Sequence, residues 1–400
     1  MDLQLTQLGH RPRIALIASS GVDLRSDARL KLSAVGTIHY MAQALDRHCG
    51  SVSALTPARF ASEKLGRFIS RGLRKVWGRT YDHGHTLRLA GQYARYYDTL
   101  LQRSDADIIF APLAATQISG LKSHQPVLYL SDATFDLVNN YYPEYSSLTV
   151  ESVRQGNEIE RRAVQRASAL VYPTQWAADS AIDRYGANPQ HIHIIPFGAN
   201  IDNAPPFMDC MNRDLTNVCR LILVGTNWRR KGGDLAIATM DALTQMGVAS
   251  ELVVCGCRPP SDLRRPYLTV IPFLDKNQPE HRQRFADLLL SAHFMLLPTR
   301  SESFGLVFCE AAAFGLPVVA TATGGVGEVV INGENGYTLP PGAGAREYAH
   351  LIKDLFRNKQ RYALLAHSSR AAYERRLNWD VWGVAMERVI HGMLRQTAGV

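Results

Sequence analysis

The sequence contains no run of about 18 consecutive apolar residues, so it has no segment expected to cross a membrane as a helix. Cysteine is scarce: Cys49, Cys210, Cys219, Cys255, Cys257 and Cys309 are the only six among 400 residues. Only Cys255-Gly256-Cys257 forms a close pair. It lacks the second pair, or the paired histidines, of a zinc site, so the thiols read as free, buried groups in a reducing compartment. The N-terminus shows no basic region followed by an apolar run and a small-residue cleavage site, which leads to the expectation of a cytoplasmic protein. Acidic residues are outnumbered, 36 Asp and Glu against 44 Lys and Arg, for a net charge of +8. Such an excess raises nucleic acid, anionic lipid or a phosphorylated substrate as partners. With 46% hydrophobic and 20% charged residues, the mixture is globular rather than disordered or fibrous. The length exceeds what one hydrophobic core usually serves, so two domains are expected.

What is present is alternation. Short apolar, β-branched runs at 13–19, 51–55, 107–112, 126–131, 168–173 and 191–196 read as strands, with helical patterns such as 36–48 and 151–167 between them. A Pro-, Asn- and Asp-rich stretch at 199–217 reads as a linker. Strands resume at 219–225, 251–256, 267–272, 293–298 and 317–321, with helices at 231–247, 279–292 and 304–315, and helical stretches at 345–374 and 380–396 close the chain. Alternation of this kind predicts parallel sheets covered by helices, which bind ligands at the carboxyl ends of their strands. A cleft between two such domains is the expected site. A nicotinamide-dependent oxidoreductase would share this architecture, but the first strand is not followed by G-x-G-x-x-G. The later Gly325-Val326-Gly327 lacks the third glycine.

The richest chemistry lies at 298–340. Glu302 and Glu310 flank a predicted helix start, where free amides suit an anion and carboxylates suit sugar hydroxyls. A solvated cap plus a surface acid would give the same two residues. Gly324-Gly325-Val326-Gly327 reads as a second strand-to-helix phosphate cradle. Arg229, Arg230 and Lys231, just ahead of Gly232-Gly233, would suit a diphosphate, or form an ordinary basic helix start. Asp105-Ala106-Asp107 superficially matches a metal-binding Asp-x-Asp, but it precedes a strand and reads as structural.

Glu302-Ser303-Phe304-Gly305 with Glu310, followed by Gly315-Leu316-Pro317, Gly324-Gly325, Glu328 and Asn335-Gly336, closely resembles family 4 of the retaining glycosyltransferases. The eight-residue step from Glu302 to Glu310 is that family's E-x7-E signature. The resemblance implies an α/β GT-B fold, with two facing Rossmann-like domains. Residues 1–203 would form the acceptor-side domain and 204–378 the nucleotide-sugar domain, with 379–400 a terminal helix packing back on the first. It implies transfer of a hexose-type sugar, with retention, from a nucleoside diphosphate sugar to a glycan, lipid-linked or small-molecule acceptor. Neither a cofactor nor a metal is expected. Lys231 and Arg230 would stabilise the leaving diphosphate, with Glu302 on the transferred sugar and Glu310 on the ribose. Where the family commonly has an Arg, five residues before the Lys, this chain has Thr226. That role is absent or passes to Arg229 or Arg230. Gly36, Thr226, Arg229, Phe273, Leu274, Ser303, Phe304, Gly305 and Leu306 would join Glu310 around the donor. The stretch Ser33–Ile38 resembles the first domain's Gly-rich loop. Where the family often has a His, this chain has Asp132, which would bond near the sugar or cap a helix. A phosphorylase or a nucleotide-sugar epimerase of the same fold is the alternative.

The positive charge is local. Between residues 59 and 95 stand nine cations and two acids, which accounts for seven of the eight net charges. Within this stretch, 64–77 places Leu65, Phe68, Ile69, Leu73, Val76 and Trp77 at helical spacing, opposite Arg67, Arg71, Arg74 and Lys75. Three readings stand: an apolar face packed on its own domain, an interfacial helix on anionic lipid at the inner membrane face, or a cationic wall for an anionic acceptor. Confinement of charge to one segment, with no nucleic-acid motif, argues against a nucleic-acid-binding protein.

Overall fold

The computed structural model describes residues 11–18 and 33–398. The chain divides into a first unit, residues 1–195 and 382–400, and a second unit, residues 196–381.

The first unit begins with β1 (Arg13–Leu16), α1 (Ser33–His48), β2 (Ser51–Ala54), α2 (Ala61–Trp77) and α3 (Leu87–Leu101). It continues with β3 (Ile108–Pro112), α4 (Ala115–Ile118), β4 (Val127–Leu130), α5 (Phe135–Val138), α6 (Val150–Arg166), β5 (Ala169–Tyr172), α7 (Gln175–Tyr185) and β6 (Ile192–Ile194). The six strands form one parallel sheet in the order β2-β1-β3-β4-β5-β6. β3, β4 and β5 are buried throughout, which is why they read as continuous apolar runs rather than alternating ones. Threonines set the helix starts: Thr86, Thr149 and Thr174 accept the amides of Leu89, Ser152 and Ala177.

Under this sheet lies a polar cluster. Asp82 holds His85 Nδ1 at 2.7 Å, and Tyr129 donates to Glu160 at 3.0 Å. Burial pushes the Glu160 carboxyl up to about 7, against the opposing pull of Tyr129 and His85. The folded chain therefore holds a proton there that the unfolded chain has released above its ordinary value of 4.5. The sign follows: this group's contribution falls as pH rises from about 4.5 to about 7, by on the order of 3 kcal/mol. Glu160→Gln is expected to remove that slope. Melting temperatures of the two proteins between pH 5 and 8 check it, and parallel curves would contradict it.

The second unit contains α8 (Phe207–Met211), β7 (Cys219–Val224), α9 (Gly233–Gln245), β8 (Ser250–Cys255), β9 (Leu268–Ile271) and α10 (Pro279–Ser291). Then follow β10 (Phe294–Leu297), α11 (Leu306–Ala313), β11 (Val318–Thr321), α12 (Val326–Val329), β12 (Gly336–Leu339), α13 (Ala345–Arg357) and α14 (Lys359–Arg376). Its parallel sheet runs β12-β11-β10-β7-β8-β9. The last helix, α15, spans Trp379–Ala398. From Trp382 onward it groups with the first unit, where Trp382 meets Phe110 edge-on and Cys49 Sγ donates to the Gly383 carbonyl at 3.5 Å.

Some expectations needed correction. Part of the predicted linker is packed structure. Ala199 N donates to Leu377 O at 3.0 Å, and Arg370 donates to Pro205 O at 2.8 Å, which ties this stretch to the end of α14. The helical stretch 345–374 breaks at Asn358, whose side chain accepts the Arg361 amide and starts a new helix. The cysteines within the described residues are free and buried.

Candidate active site

In the second unit the chain starts inside the sheet at β7, moves outward through β8 and β9, then returns to the other side of β7 with β10. Neighbouring strands β7 and β10 thus send their following loops in opposite directions. A crevice opens at such a switch point, outside the carboxyl ends of the strands. The loop after β7 carries 225–232 and the loop after β10 carries 298–305.

Three charged side chains meet between these loops. The Lys231 ammonium contacts Glu302 Oε2, and Arg230 Nη1 lies 3.3 Å from the same oxygen. Arg230 also donates to the Ser301 carbonyl at 2.9 Å. Lys231 and Glu302 are nearly enclosed, with side chains 8% and 13% exposed. Burial works to raise the Glu302 carboxyl, but Lys231 and Arg230 outweigh it and hold its pKa below the ordinary value. The cluster therefore carries two cations against one carboxylate, a residual positive charge in a largely desolvated place.

Glycines make this approach possible. Gly232 has φ +74°, and a Cβ there would stand 1.9 Å from the Pro298 carbonyl oxygen. Gly225 leaves room for the Lys231 stem, whose Cγ would lie 2.6 Å from an added Cβ. The loops are also stitched together. Arg300 N donates to Arg230 O at 2.8 Å, and its guanidinium grips Asp234 through two bonds of 2.9 and 2.6 Å. Helices α9 and α11 start at Gly232 and Gly305, neither of which offers a side-chain cap. At α9 the Gly233 amide is already donated to Trp228 O at 2.9 Å, whereas no side chain caps the start of α11, whose first amides suit an anion.

The second acid of the pair, Glu310, is buried one turn into α11. Lys276 Nζ reaches it at 2.6 Å, and that ammonium also lies 4.5 Å from the Phe285 ring centroid. Neither Lys276 nor the Arg300–Asp234 stitch was found from sequence. Lys276 lies 34 residues from its partner, and no local spacing marks such a contact.

The remaining predicted residues fall as follows. Leu274 is buried and Phe273 is half exposed beside it. Ser303 and Phe304 are buried, Phe304 against Phe197 with centroids 5.0 Å apart, so around them the backbone is what a ligand meets. Leu306 opens α11. Thr226 and Arg229 are exposed, and Arg229 O accepts from Arg300. Of the two candidate arginines, the structure brings Arg230 to the cluster. The Gly324–Gly327 turn is not a phosphate cradle: α12 has a single turn, and the Gly325 amide is already donated to Ser303 O at 3.1 Å. Gly36 and its neighbours stand in the first turns of α1 rather than in a loop. Asp132 follows β4 and does not cap α5, whose N-cap position is Thr134. Arg13 bridges Asp105 at 2.7 Å and Asp107 at 3.2 Å, the structural role read for that pair. Cys257 Sγ donates to Gly225 O at 3.0 Å. Among the described residues no helix is long and apolar enough to cross a membrane.

Two family models match this chain. The one described as Glycosyltransferase Family 4 covers residues 34–203, and the one described as Glycosyl transferases group 1 covers residues 219–358. Together the two matches support a glycosyltransferase of the family 4 type. Relatives resembling this chain include a D-inositol 3-phosphate glycosyltransferase of Xylanimonas cellulosilytica, 31% identical over 250 residues, 58% of this chain and 59% of that protein. A protein of the same name from Rhodococcus opacus is 30% identical over 224 residues, 52% of this chain and 49% of the relative. The chain thus spans about half to three-fifths of the curated relatives it matches. Among solved structures, sucrose-phosphate synthase from Thermosynechococcus elongatus aligns with TM-score 0.68 at 17% identity, covering 96% of this chain and all (100%) of that one. Anabaena HepE in complex with UDP and glucose aligns with TM-score 0.58 at 16% identity, covering 96% and 100%. These likenesses show the fold, a GT-B arrangement of two α/β units.

Proposed function

We propose that this protein transfers a hexose-type sugar from a nucleoside diphosphate sugar to an acceptor hydroxyl, with retention of anomeric configuration. The observation that carries this reading is the Lys231–Arg230–Glu302 cluster, set beside the uncapped start of α11 at the β7/β10 switch point. In the reaction the bond from the anomeric carbon to the diphosphate breaks, and negative charge grows on the leaving phosphate. Lys231, Arg230 and the first amides of α11 stabilise that charge. The acceptor oxygen bonds to the anomeric carbon on the same face, and its proton passes to the departing phosphate oxygen. When a donor enters, Glu302 exchanges contact with the cations for contact with sugar hydroxyls, and Glu310 accepts from the ribose. The relatives named as inositol-phosphate glycosyltransferases, and a neighbour that holds UDP and glucose, support this choice of chemistry.

The test is a panel of UDP-, GDP-, ADP- and dTDP-sugars followed by NMR of the anomeric protons. Release of a nucleoside diphosphate, with a product of the donor's own configuration, is expected. Inverted product, or no consumption of any donor, would overturn the reading. Phosphorolysis of a glycoside without nucleotide would identify a phosphorylase instead.

A further inference from the structure

Helix α2 carries half of the chain's charge excess, five cations against one acid for four of the eight net charges. In the structure four of its apolar residues stay on the surface. Phe68 is 75% exposed, Val76 71% and Trp77 72%, and Ile69 is also on the surface. The basic residues Arg67, Arg71, Arg74 and Lys75 are exposed as well. Packing of this face on its own domain, one of the three readings open from sequence, is therefore excluded for these four apolar side chains. Phe68, Ile69 and Val76 follow the i, i+1, i+8 spacing that shares one helix face, with the basic residues alongside.

The helix is not a loose excursion. Its first turn is held to α3: Ser62 donates to Gln92 at 2.6 Å, and Tyr93 donates to Glu63 at 3.1 Å. Gly66 sits against His83, where an added Cβ would stand 2.4 Å from His83 Cβ. At the other end Gly78, at φ +64°, closes the helix with its amide on Arg74 O, and Thr80 N donates to Ser147 O at 2.9 Å. Both ends are fixed and the stretch between them is offered to the outside.

We propose that α2 docks this protein on an anionic lipid surface. Phe68, Val76 and Trp77 enter the headgroup boundary, while Arg67, Arg71, Arg74 and Lys75 meet the lipid phosphates. Aromatic and aliphatic side chains flanked by arginine suit that boundary, which is apolar on one side and negatively charged on the other. Charge decides among occupants. A second copy would bring the same basic face against itself, and a nucleic acid would leave the large apolar side chains uncovered. The inference does not rest on the sugar-transfer reading, since vesicle binding is measured without donor or acceptor. If both hold, the acceptor is met at the membrane.

The experiment is co-sedimentation of the full chain with vesicles of phosphatidylcholine alone, and of phosphatidylcholine with phosphatidylglycerol, at low and high salt. Binding to the anionic vesicles only, weakened by salt, is expected. The Phe68→Ser/Trp77→Ser and Arg71→Glu/Arg74→Glu variants should each bind at least tenfold more weakly. Unchanged melting temperatures would show that both variants are folded. Equal, negligible binding to both vesicle types overturns the proposal, as does full binding by both folded variants. Self-association or nucleic-acid binding abolished by the same variants, without vesicle binding, assigns the face to another occupant and also overturns it.

Discussion

Lys231→Ala is expected to lower kcat by at least about 10²-fold, the typical cost of removing one preorganised donor from a developing negative charge. The reason lies in burial. The ammonium is almost fully enclosed, and its partner is a carboxylate whose charge it sustains. An interaction that strengthens as the phosphate departs acts on the transition state more than on bound donor, so the loss falls on kcat rather than KM. A merely structural lysine behaves differently. Its removal would leave Glu302 with Arg230 alone and lower the melting temperature, while the folded fraction kept its turnover. Steady-state kinetics well below the melting temperature separate the two. A fully folded Lys231→Ala protein with near-normal kcat would remove Lys231 from the chemistry.

Gly232→Ala is expected to destabilise the second unit by about 3 kcal/mol or more, and to lower activity with it. Two costs combine. A non-glycine residue at φ +74° carries strain of about 1–3 kcal/mol. The new methyl also meets a backbone carbonyl at 1.9 Å, and forced overpacking adds a further cost of about 1–3 kcal/mol. Relief requires the β7 and β10 loops to move apart, which displaces Lys231, the preceding residue. Gly247→Ala is the control. It has nearly the same φ, +67°, but nothing lies within 4 Å of its added Cβ, so only the strain is expected. Urea unfolding of the two variants should therefore differ clearly. Equal losses would show that the close approach at Pro298 does not matter.

The α/β layers were legible because strands buried on both faces read as unbroken apolar runs. β10 and β11 are such runs, and each was placed to within a residue or two. β12 was missed: Gly336-Tyr337-Thr338-Leu339 is short, only partly buried and begins with a glycine, which carries little strand signal. α3 was missed because its tyrosines and leucines follow the basic stretch and blur the period there. At the site, the motifs shared with family 4 nominated Lys231, Glu302 and Glu310. What spacing alone did not reveal was their pairing, which depends on a strand order that reverses at β7. The same limit hid Lys276 and Arg300. For α2 the pattern was plain but its meaning was not. An amphipathic stripe looks identical whether it faces a core or the outside, and only the exposure of Phe68, Val76 and Trp77 separates these.

The measurement closest to the central assignment is calorimetric titration of UDP, GDP, ADP and dTDP, each beside its nucleoside, into the wild-type protein and Lys231→Ala. At least one diphosphate should bind the wild type, its nucleoside should bind far more weakly, and Lys231→Ala should weaken the diphosphate at least tenfold, or about 1.4 kcal/mol. Binding that ignores the diphosphate, or that Lys231→Ala leaves unchanged, would contradict a donor site at the carboxyl ends of β7 and β10.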